Sequence, residues 1–234
     1  MDLAINDDPT YTDVLFYLST FLRKKTNYLE LGVSVGKNFF QLCNAFHNAL
    51  LIGLDIEEIN PRLENNLANR RVLRQWEMAE ELRDFRYATE DSSVRSYVDD
   101  SLAHSRKGLS SLNSYSYRDN NIIYLSSNIY DDEAWMALKG RKFNIIFSDA
   151  LHEAAALLYE YEKLTQYNLI DGDEFIYVWD DLQNKDMEAA ALQIARDLAL
   201  NHPGVHGRLL SLNGWLGEHE TRHKVGIVAS LQER

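Results

Sequence analysis

The sequence predicts a doubly wound α/β fold, in which a mostly parallel sheet has helices on both faces. Apolar strand-like runs alternate with helical runs, and glycine or acidic residues follow several of the strands. The last two strands have only a loop between them, which predicts an antiparallel hairpin at the C-terminus because parallel strands need a longer crossover. A charged segment in the middle predicts a helical insertion.

The N-terminal part of the chain reads as a helix followed by a strand–helix–strand unit. DVLFYLSTFLRK has apolar residues at helical spacing, NYLELGV is a strand, GKNFFQLCNAFHNA is a helix, and ALLIGLDI is a second buried strand that ends at Asp55. This order, with a glycine turn after the first strand, is typical of doubly wound folds.

Residues 57–120 interrupt the alternation. Apolar residues recur every three or four positions from Val72 to Phe85 and from Val94 to Leu102, while LSSLNSYSYRDNN is predicted to be a loop. We expect an inserted helical layer that serves either as a lid or as an oligomer contact. The predicted organisation is a single domain over residues 1–234 that carries this insertion.

The alternation resumes after residue 120. NIIYLSS, KFNIIFSDA and EFIYVWDD are predicted strands, DDEAWMALKG and EAAALLYEYEKLTQYNL are helices, and MEAAALQIARDLALNH is a helix that stops at Pro203-Gly204. VHGRLLSLN and KVGIVASL are the two strands of the edge hairpin, with NGWLGEHETRH as the predicted loop between them.

Composition limits the classes of function. Of the 234 residues, 45% are hydrophobic and 26% are charged, which is typical of a globular protein. The formal net charge of -12 argues against a nucleic-acid partner, because such surfaces need lysine and arginine. The single cysteine, Cys43, indicates a reducing compartment. No signal-like or membrane-spanning run is present, so we expect a cytoplasmic protein without a membrane partner.

Acidic residues or glycine occur where each of four predicted strands ends. Ligands of open α/β sheets bind at the carboxyl ends of the strands, so these residues predict a binding site at one edge. The residues concerned are Glu30, Gly32, Asp55, Asp149, Asp180 and Asp181.

The loop ELGVSVGKN is predicted to approach a ligand closely, because Gly32 and Gly36 lack a Cβ. A dinucleotide fingerprint would need glycine where the chain has Ser34 and Lys37. Asp55 ends the next strand and can accept hydrogen bonds from both hydroxyls of a ribose, which favours an adenosine-containing ligand. A purely structural turn and a helix cap remain the alternatives.

ELGVSVG, LIGLDI and the terminal hairpin together resemble the class I S-adenosylmethionine-dependent methyltransferases. The resemblance covers most of the chain outside residues 57–120 and implies a Rossmann-like seven-stranded sheet with a reversed last strand. It implies S-adenosylmethionine as cofactor, and it assigns binding of this cofactor to Glu30, Gly32, Ser34, Gly36, Asp55, Ser127, Asn128 and Asp149.

SDALH and VWDDLQ are similar to the metal-dependent O-methyltransferases that act on sugars and natural products, such as the macrolide sugar enzymes. This resemblance implies that Asp149, Asp180 and Asp181 hold Mg²⁺ and that His152 is the general base, so that His152 and Asp149 are the catalytic residues. Magnesium prefers oxygen ligands, and a cation together with a base helps an alcohol to lose its proton.

Several alternatives remain open. Asp149 and His152 could cap the following helix, and either of Asp180 and Asp181 could cap the helix near Met187. The last two would point to opposite sides if their strand continued through them. A metal-independent O- or N-methyltransferase and a non-catalytic nucleoside-binding or regulatory protein are the alternative functions.

The predicted acceptor is a small hydroxylated molecule, whether sugar, natural product or metabolite, and a homodimer remains open. His219 and His223 are four residues apart and weakly resemble a zinc site. Trp215 in the same loop is expected to wall the acceptor pocket.

Overall fold

The structure of the chain is a computed structural model that describes residues 9–71, 108–202, 204–216 and 219–231. The helices in these ranges are α1 (Tyr11–Ser19), α2 (Lys37–Ala45), α3 (Pro61–Ala68), α4 (Asp132–Leu138), α5 (Ala154–Gln166) and α6 (Lys185–Asn201). The strands are β1 (Asn27–Leu31), β2 (Leu50–Asp55), β3 (Leu109–Tyr117), β4 (Asn120–Ser127), β5 (Ile145–Ser148), β6 (Phe175–Trp179), β7 (Val205–Leu216) and β8 (His219–Ser230).

The strands form one sheet in the order β3-β4-β2-β1-β5-β6-β8-β7. The five from β4 to β6 are parallel, β3 runs antiparallel to β4, and β8 runs antiparallel to both β6 and β7. Leu31 at the end of β1 pairs with Leu54 and Ser148, and Ser148 pairs with Trp179. The carboxyl ends of the central strands therefore lie level with one another.

Helices cover both faces of the sheet, as predicted. The buried apolar residues of α1, α2 and α3 pack on one face in one core cluster. Those of α4, α5 and α6 pack on the other face in a second cluster. The central strands are buried on both sides, which explains their nearly continuous apolar sequences. In the described part of the chain, no helix combines the length and the apolar character that crossing a membrane requires.

The predicted loop LSSLNSYSYRDNN is instead an edge strand and its turn. Every second residue of β3 is at least partly buried, which is the pattern of a half-buried strand. Arg118 and Asp119 have φ of 50° and 63°, the signs of a two-residue type I′ hairpin turn. The serine-rich composition hid this alternation, and the sheet has eight strands in the described ranges instead of seven.

The C-terminal hairpin is confirmed, but its predicted loop is mostly strand. β7 and β8 pair from Val205–Ser230 to Leu216–His219. His219 and His223 therefore lie on one strand, where four residues span about 13 Å, too far for one zinc ion. The side chains of residues 214–221, Trp215 among them, lie outside the described part of the chain.

The insertion is described only in part. Pro61 begins α3, and the Asn60 side chain accepts a hydrogen bond from the Arg62 N–H as its cap. The two helical segments predicted from Val72 to Phe85 and from Val94 to Leu102 lie outside the described residues. The domain organisation and the role of the insertion stay predictions.

Candidate active site at the carboxyl edge of the sheet

The predicted site residues line up along one edge of the sheet in the order of their strands. Ser127 ends β4 and Asn128 follows it, Asp55 ends β2, and the glycine loop follows β1. The Asp149 loop follows β5, and Asp180 and Asp181 follow β6, which completes the array. Neighbouring strands lie about 4.8 Å apart, so the array extends over roughly 19 Å.

Gly32 is the point where the loop after β1 touches the loop after β5. Its φ is 84°, and a Cβ built on it would lie 2.2 Å from the Asp149 carbonyl oxygen and 2.5 Å from the Ala150 Cα. Real atoms do not approach so closely, so only glycine fits here. The glycine loop and the acidic group of β5 therefore adjoin directly.

Gly36 and Ser34 complete the left-handed turn of the first loop. Gly36 has a φ of 88° and precedes α2, and a Cβ on it would lie 2.5 Å from Leu63 Cδ2. Ser34, which stands where the commoner motif has glycine, has a φ of 52°. The whole loop thus keeps the tight backbone that the sequence predicts.

Asp55 ties the first loop to the second strand. Its Oδ2 accepts hydrogen bonds from the backbone N–H groups of Val33 and Ser34, each over 2.7 Å, and its Oδ1 accepts one from the Glu57 N–H over 2.8 Å. A carboxylate offers about four acceptor positions. Asp55 is thus a structural anchor of the loop as well as the predicted ribose-binding residue.

Glu30 is buried beneath the loop, where 1% of it is exposed. Its Oε2 accepts hydrogen bonds from the Tyr28 hydroxyl and from the Asn38 amide, and Asn38 in turn accepts one from the Thr12 hydroxyl. Burial raises the pKa of Glu30 to about 8. This arrangement connects α1, β1 and α2 under the predicted cofactor loop.

Ser127 and Asn128 lie beside Asp55, at the end of β4. The Ser127 hydroxyl donates to the Gly108 carbonyl oxygen over 3.1 Å. The Asn128 side chain accepts from the Tyr130 N–H over 3.0 Å, which forms a local turn. Ser127 is buried, whereas Asn128 is partly exposed at the edge where the resemblance predicts adenine contacts.

His152 lies between two acids. Its Nε2 is 3.2 Å from Asp149 Oδ1, and its Nδ1 is 3.2 Å from Asp181 Oδ2. The hydrogen bond to Asp149 raises the pKa of His152, since a nearby carboxylate favours the charged ring. Burial raises the pKa of Asp149, and the neighbouring carboxylates of Asp180 and Asp181 raise it further.

His223 of β8 completes this group, although the sequence placed it in a loop. Its Nδ1 is 2.9 Å from Asp180 Oδ2 and 2.9 Å from Asp181 Oδ1. Burial alone would lower the pKa of His223, but the two carboxylates raise it above its usual value. One feature of the sequence could have predicted the place of His223. A strand that runs antiparallel to its neighbours begins at the edge where the parallel strands end, so the residues just before KVGIVASL lie at that edge.

The backbone explains why both acids after β6 face the same site. The strand ends at Trp179, and Asp181 has a φ of 53°. The chain therefore turns instead of continuing the alternation that would separate the two side chains. The helix-cap alternatives do not apply here, because the caps of α5 and α6 are Glu153 and Asn184.

The donor set is suited to a divalent cation. Two overlapping groups bring their potential ligand atoms within 4.8 Å of one another: Asp149, His152 and Asp181, and Asp180, Asp181 and His223. Asp181 belongs to both groups. The three acids predicted to hold a metal lie at the same edge of the sheet, but Asp149 and Asp180 fall in different groups, and each group adds a histidine.

Comparison with known proteins bears on the fold. No protein-family model matches the chain, and no curated protein matches it. An O-methyltransferase from Bacillus cereus, solved in complex with SAH, is 14% identical over 98% of this chain and 84% of its own, with a TM-score of 0.50. The chain has the class I methyltransferase fold. A precorrin-6y C5,15-methyltransferase from Geobacter metallireducens is 10% identical over 94% of this chain and 87% of its own, with a TM-score of 0.47.

Proposed function

We propose that the protein transfers a methyl group from S-adenosylmethionine to an oxygen atom of a small hydroxylated acceptor, with the help of a divalent cation. The contact of Gly32 with the Asp149 backbone carries this proposal. It joins a glycine loop suited to a nucleoside ligand to a group of acids and histidines suited to removing a proton.

The cofactor would lie along β4, β2 and β1. The tight turn through Gly32, Ser34 and Gly36 would lie against the methionine part, with Ser34 exposed at its tip, and Asp55 and Asn128 would flank the nucleoside. S-adenosylmethionine supplies an electrophilic methyl group, and a cation among the acids would ease loss of the acceptor proton.

His152 is the base in this proposal. With both nitrogens facing carboxylates, the ring carries both protons in the arrangement described, so His152 can act as a base only after Nε2 has passed its proton to Asp149 or to water. His152 is well placed for this change because 53% of its side chain is exposed. Asp149 then orients the ring and the acceptor hydroxyl beside the glycine loop.

Calorimetric titration of the purified protein with S-adenosylhomocysteine tests the cofactor. We expect micromolar binding that weakens roughly 10- to 100-fold in Asp55→Asn, because the variant weakens charge-assisted hydrogen bonds. Asp119→Asn, in the exposed turn at the opposite edge, should bind like the wild type. Absence of binding to the wild-type protein would remove the proposal.

Methyl transfer tests the catalytic residues. We expect His152→Ala and Asp149→Ala to lower turnover on the order of 100-fold or more, because proton transfer is lost, and His152→Ala to leave cofactor affinity nearly unchanged. The readout is S-adenosylhomocysteine release with a panel of phenols, glycosides and hydroxy acids, and the exposed His206→Ala serves as control. Unchanged turnover in both variants would contradict the assigned roles, and saturable binding without turnover on any acceptor would favour a binding protein.

A further inference from the structure

A buried imidazole lies against the two acids that follow β6. The side chains of His223 and Asp180 are 6% and 1% exposed. The Nδ1 atom of His223 is 2.9 Å from one oxygen of Asp180 and from one oxygen of Asp181. Three potential ligand atoms from two strands therefore converge on one point at the sheet edge.

Two of the three separations among these atoms equal the spacing of ligands on one metal ion. Two ligand atoms bound at about 2.1 Å and at right angles lie roughly 3.0 Å apart. The observed separations of His223 from the two carboxylates agree with that value. Small rotations of the carboxylates would bring all three atoms onto one coordination sphere.

The ligand atoms are also held in place. The Asp181 N–H donates to Asp180 Oδ1 over 2.8 Å, which turns Oδ2 toward His223. The buried Tyr11 ring and the His223 ring pack in a T-shaped arrangement, with centroids 5.9 Å apart and planes at 89°. Such supporting contacts orient metal ligands before the ion binds.

We propose that Asp180, Asp181 and His223 form a site for a first-row transition-metal dication, such as Mn²⁺, Co²⁺ or Zn²⁺, in preference to Mg²⁺. Imidazole nitrogen suits these ions, whereas Mg²⁺ takes oxygen ligands almost exclusively. The inference deepens the proposed function and rests on it only in placing a divalent cation among the acids. His223 is then a direct ligand, and Asp149 and His152 adjoin the ion through the shared Asp181.

Metal binding to the purified full-length protein, stripped with a chelator, tests this site. We expect equilibrium dialysis to give a Co²⁺ affinity at least 100-fold above that for Mg²⁺. His223→Asn should reduce this ratio at least tenfold, because it removes the imidazole and leaves both carboxylates. His206→Asn, an exposed histidine on β7, should leave the ratio unchanged. An unaltered ratio in His223→Asn would overturn the proposal.

Spectroscopy identifies the ligand without relying on affinity. Electron spin echo modulation of bound Mn²⁺ should show coupling to nitrogen that persists in His152→Asn and disappears in His223→Asn. If His223→Asn does not fold, the coupling in folded His152→Asn labelled with ¹⁵N-histidine decides the question. Absence of nitrogen coupling there would show that His223 is only an ion-pair partner of the acids.

The proposed methyl transfer and the proposed metal site can be contradicted independently of each other. Binding of S-adenosylhomocysteine without any transition-metal binding would overturn the metal site and leave the cofactor proposal standing. Nitrogen-ligated metal binding without S-adenosylhomocysteine binding would support the metal site and overturn the proposed methyl transfer.

Discussion

Gly32→Ala is expected to lower the free energy of unfolding by roughly 3 kcal/mol or more and to abolish S-adenosylhomocysteine binding. A left-handed backbone costs a non-glycine residue roughly 1–3 kcal/mol, and overpacking adds a similar amount. The new Cβ would meet the Asp149 carbonyl and the Ala150 Cα, which are backbone atoms that cannot rotate away. The loops after β1 and β5 must therefore separate, which disrupts both halves of the site.

Gly140→Ala is the matched control for this change. Gly140 has a φ of 82°, nearly that of Gly32, but nothing lies within 4 Å of the position that a Cβ would take there. Gly140→Ala should lower the free energy of unfolding only by the backbone strain, roughly 1–2 kcal/mol, and should leave cofactor binding intact. Urea unfolding and calorimetry of both variants measure the difference. Equal losses of stability in the two variants would show that the contact between the loops does not matter.

Glu160→Gln is expected to make the protein more stable than the wild type above neutral pH, by up to a few kcal/mol. Glu160 is fully buried on α5, where its Oε2 accepts a hydrogen bond from the Ser148 hydroxyl. No hydrogen-bond partner for its Oε1 lies within the described residues. Burial raises the pKa of Glu160 to about 8 from the usual value of 4.5, so the folded protein holds the neutral acid at pH 7.

The direction of the pH dependence follows from this shift. Between pH 4.5 and about 8, the unfolded chain has lost the Glu160 proton while the folded chain keeps it. Within that window, each rise of one pH unit therefore lowers the free energy of unfolding of the wild type by about 1.4 kcal/mol through this group. Glutamine does not titrate, so the advantage of the variant should grow from pH 5 to pH 8 and be absent below pH 4.5.

Denaturant unfolding across this pH range measures the effect. Glu162→Gln changes an exposed acid on the same helix and should track the wild type at every pH. A stability difference between Glu160→Gln and the wild type that stays constant with pH would contradict the assigned protonation state.

The fold could be predicted from the sequence because its signals are local. Buried strands such as LLIGLD and FIYVW show continuous apolar runs, and α5 and α6 show helical spacing. The strand β3 could not be predicted from the sequence, because the serines of LSSLNSYSY obscure an alternation that becomes visible only in its pairing with β4. The turn at Arg118-Asp119 also lacks the asparagine or glycine that usually marks it.

The site was predictable to the extent that strand ends determine it. Asp149, Asp180 and Asp181 follow the strands as expected, and parallel pairing brings them to one edge. The partners of Asp55 were not predictable, since a carboxylate at a strand end can equally face a ligand or a neighbouring loop. Its contacts with Val33 and Ser34 depend on how two loops meet.

The sequence by itself determined the order of helices and strands, the glycine turn after β1, and the edge of the sheet at which the acids lie. Each of these depends on residues near one another in the chain, through periodicity and backbone preference. The tertiary structure alone decided that His223 joins Asp180 and Asp181 and that Glu160 is buried behind Ser148. Those contacts join separate elements, and only the packing of the whole sheet fixes their distances.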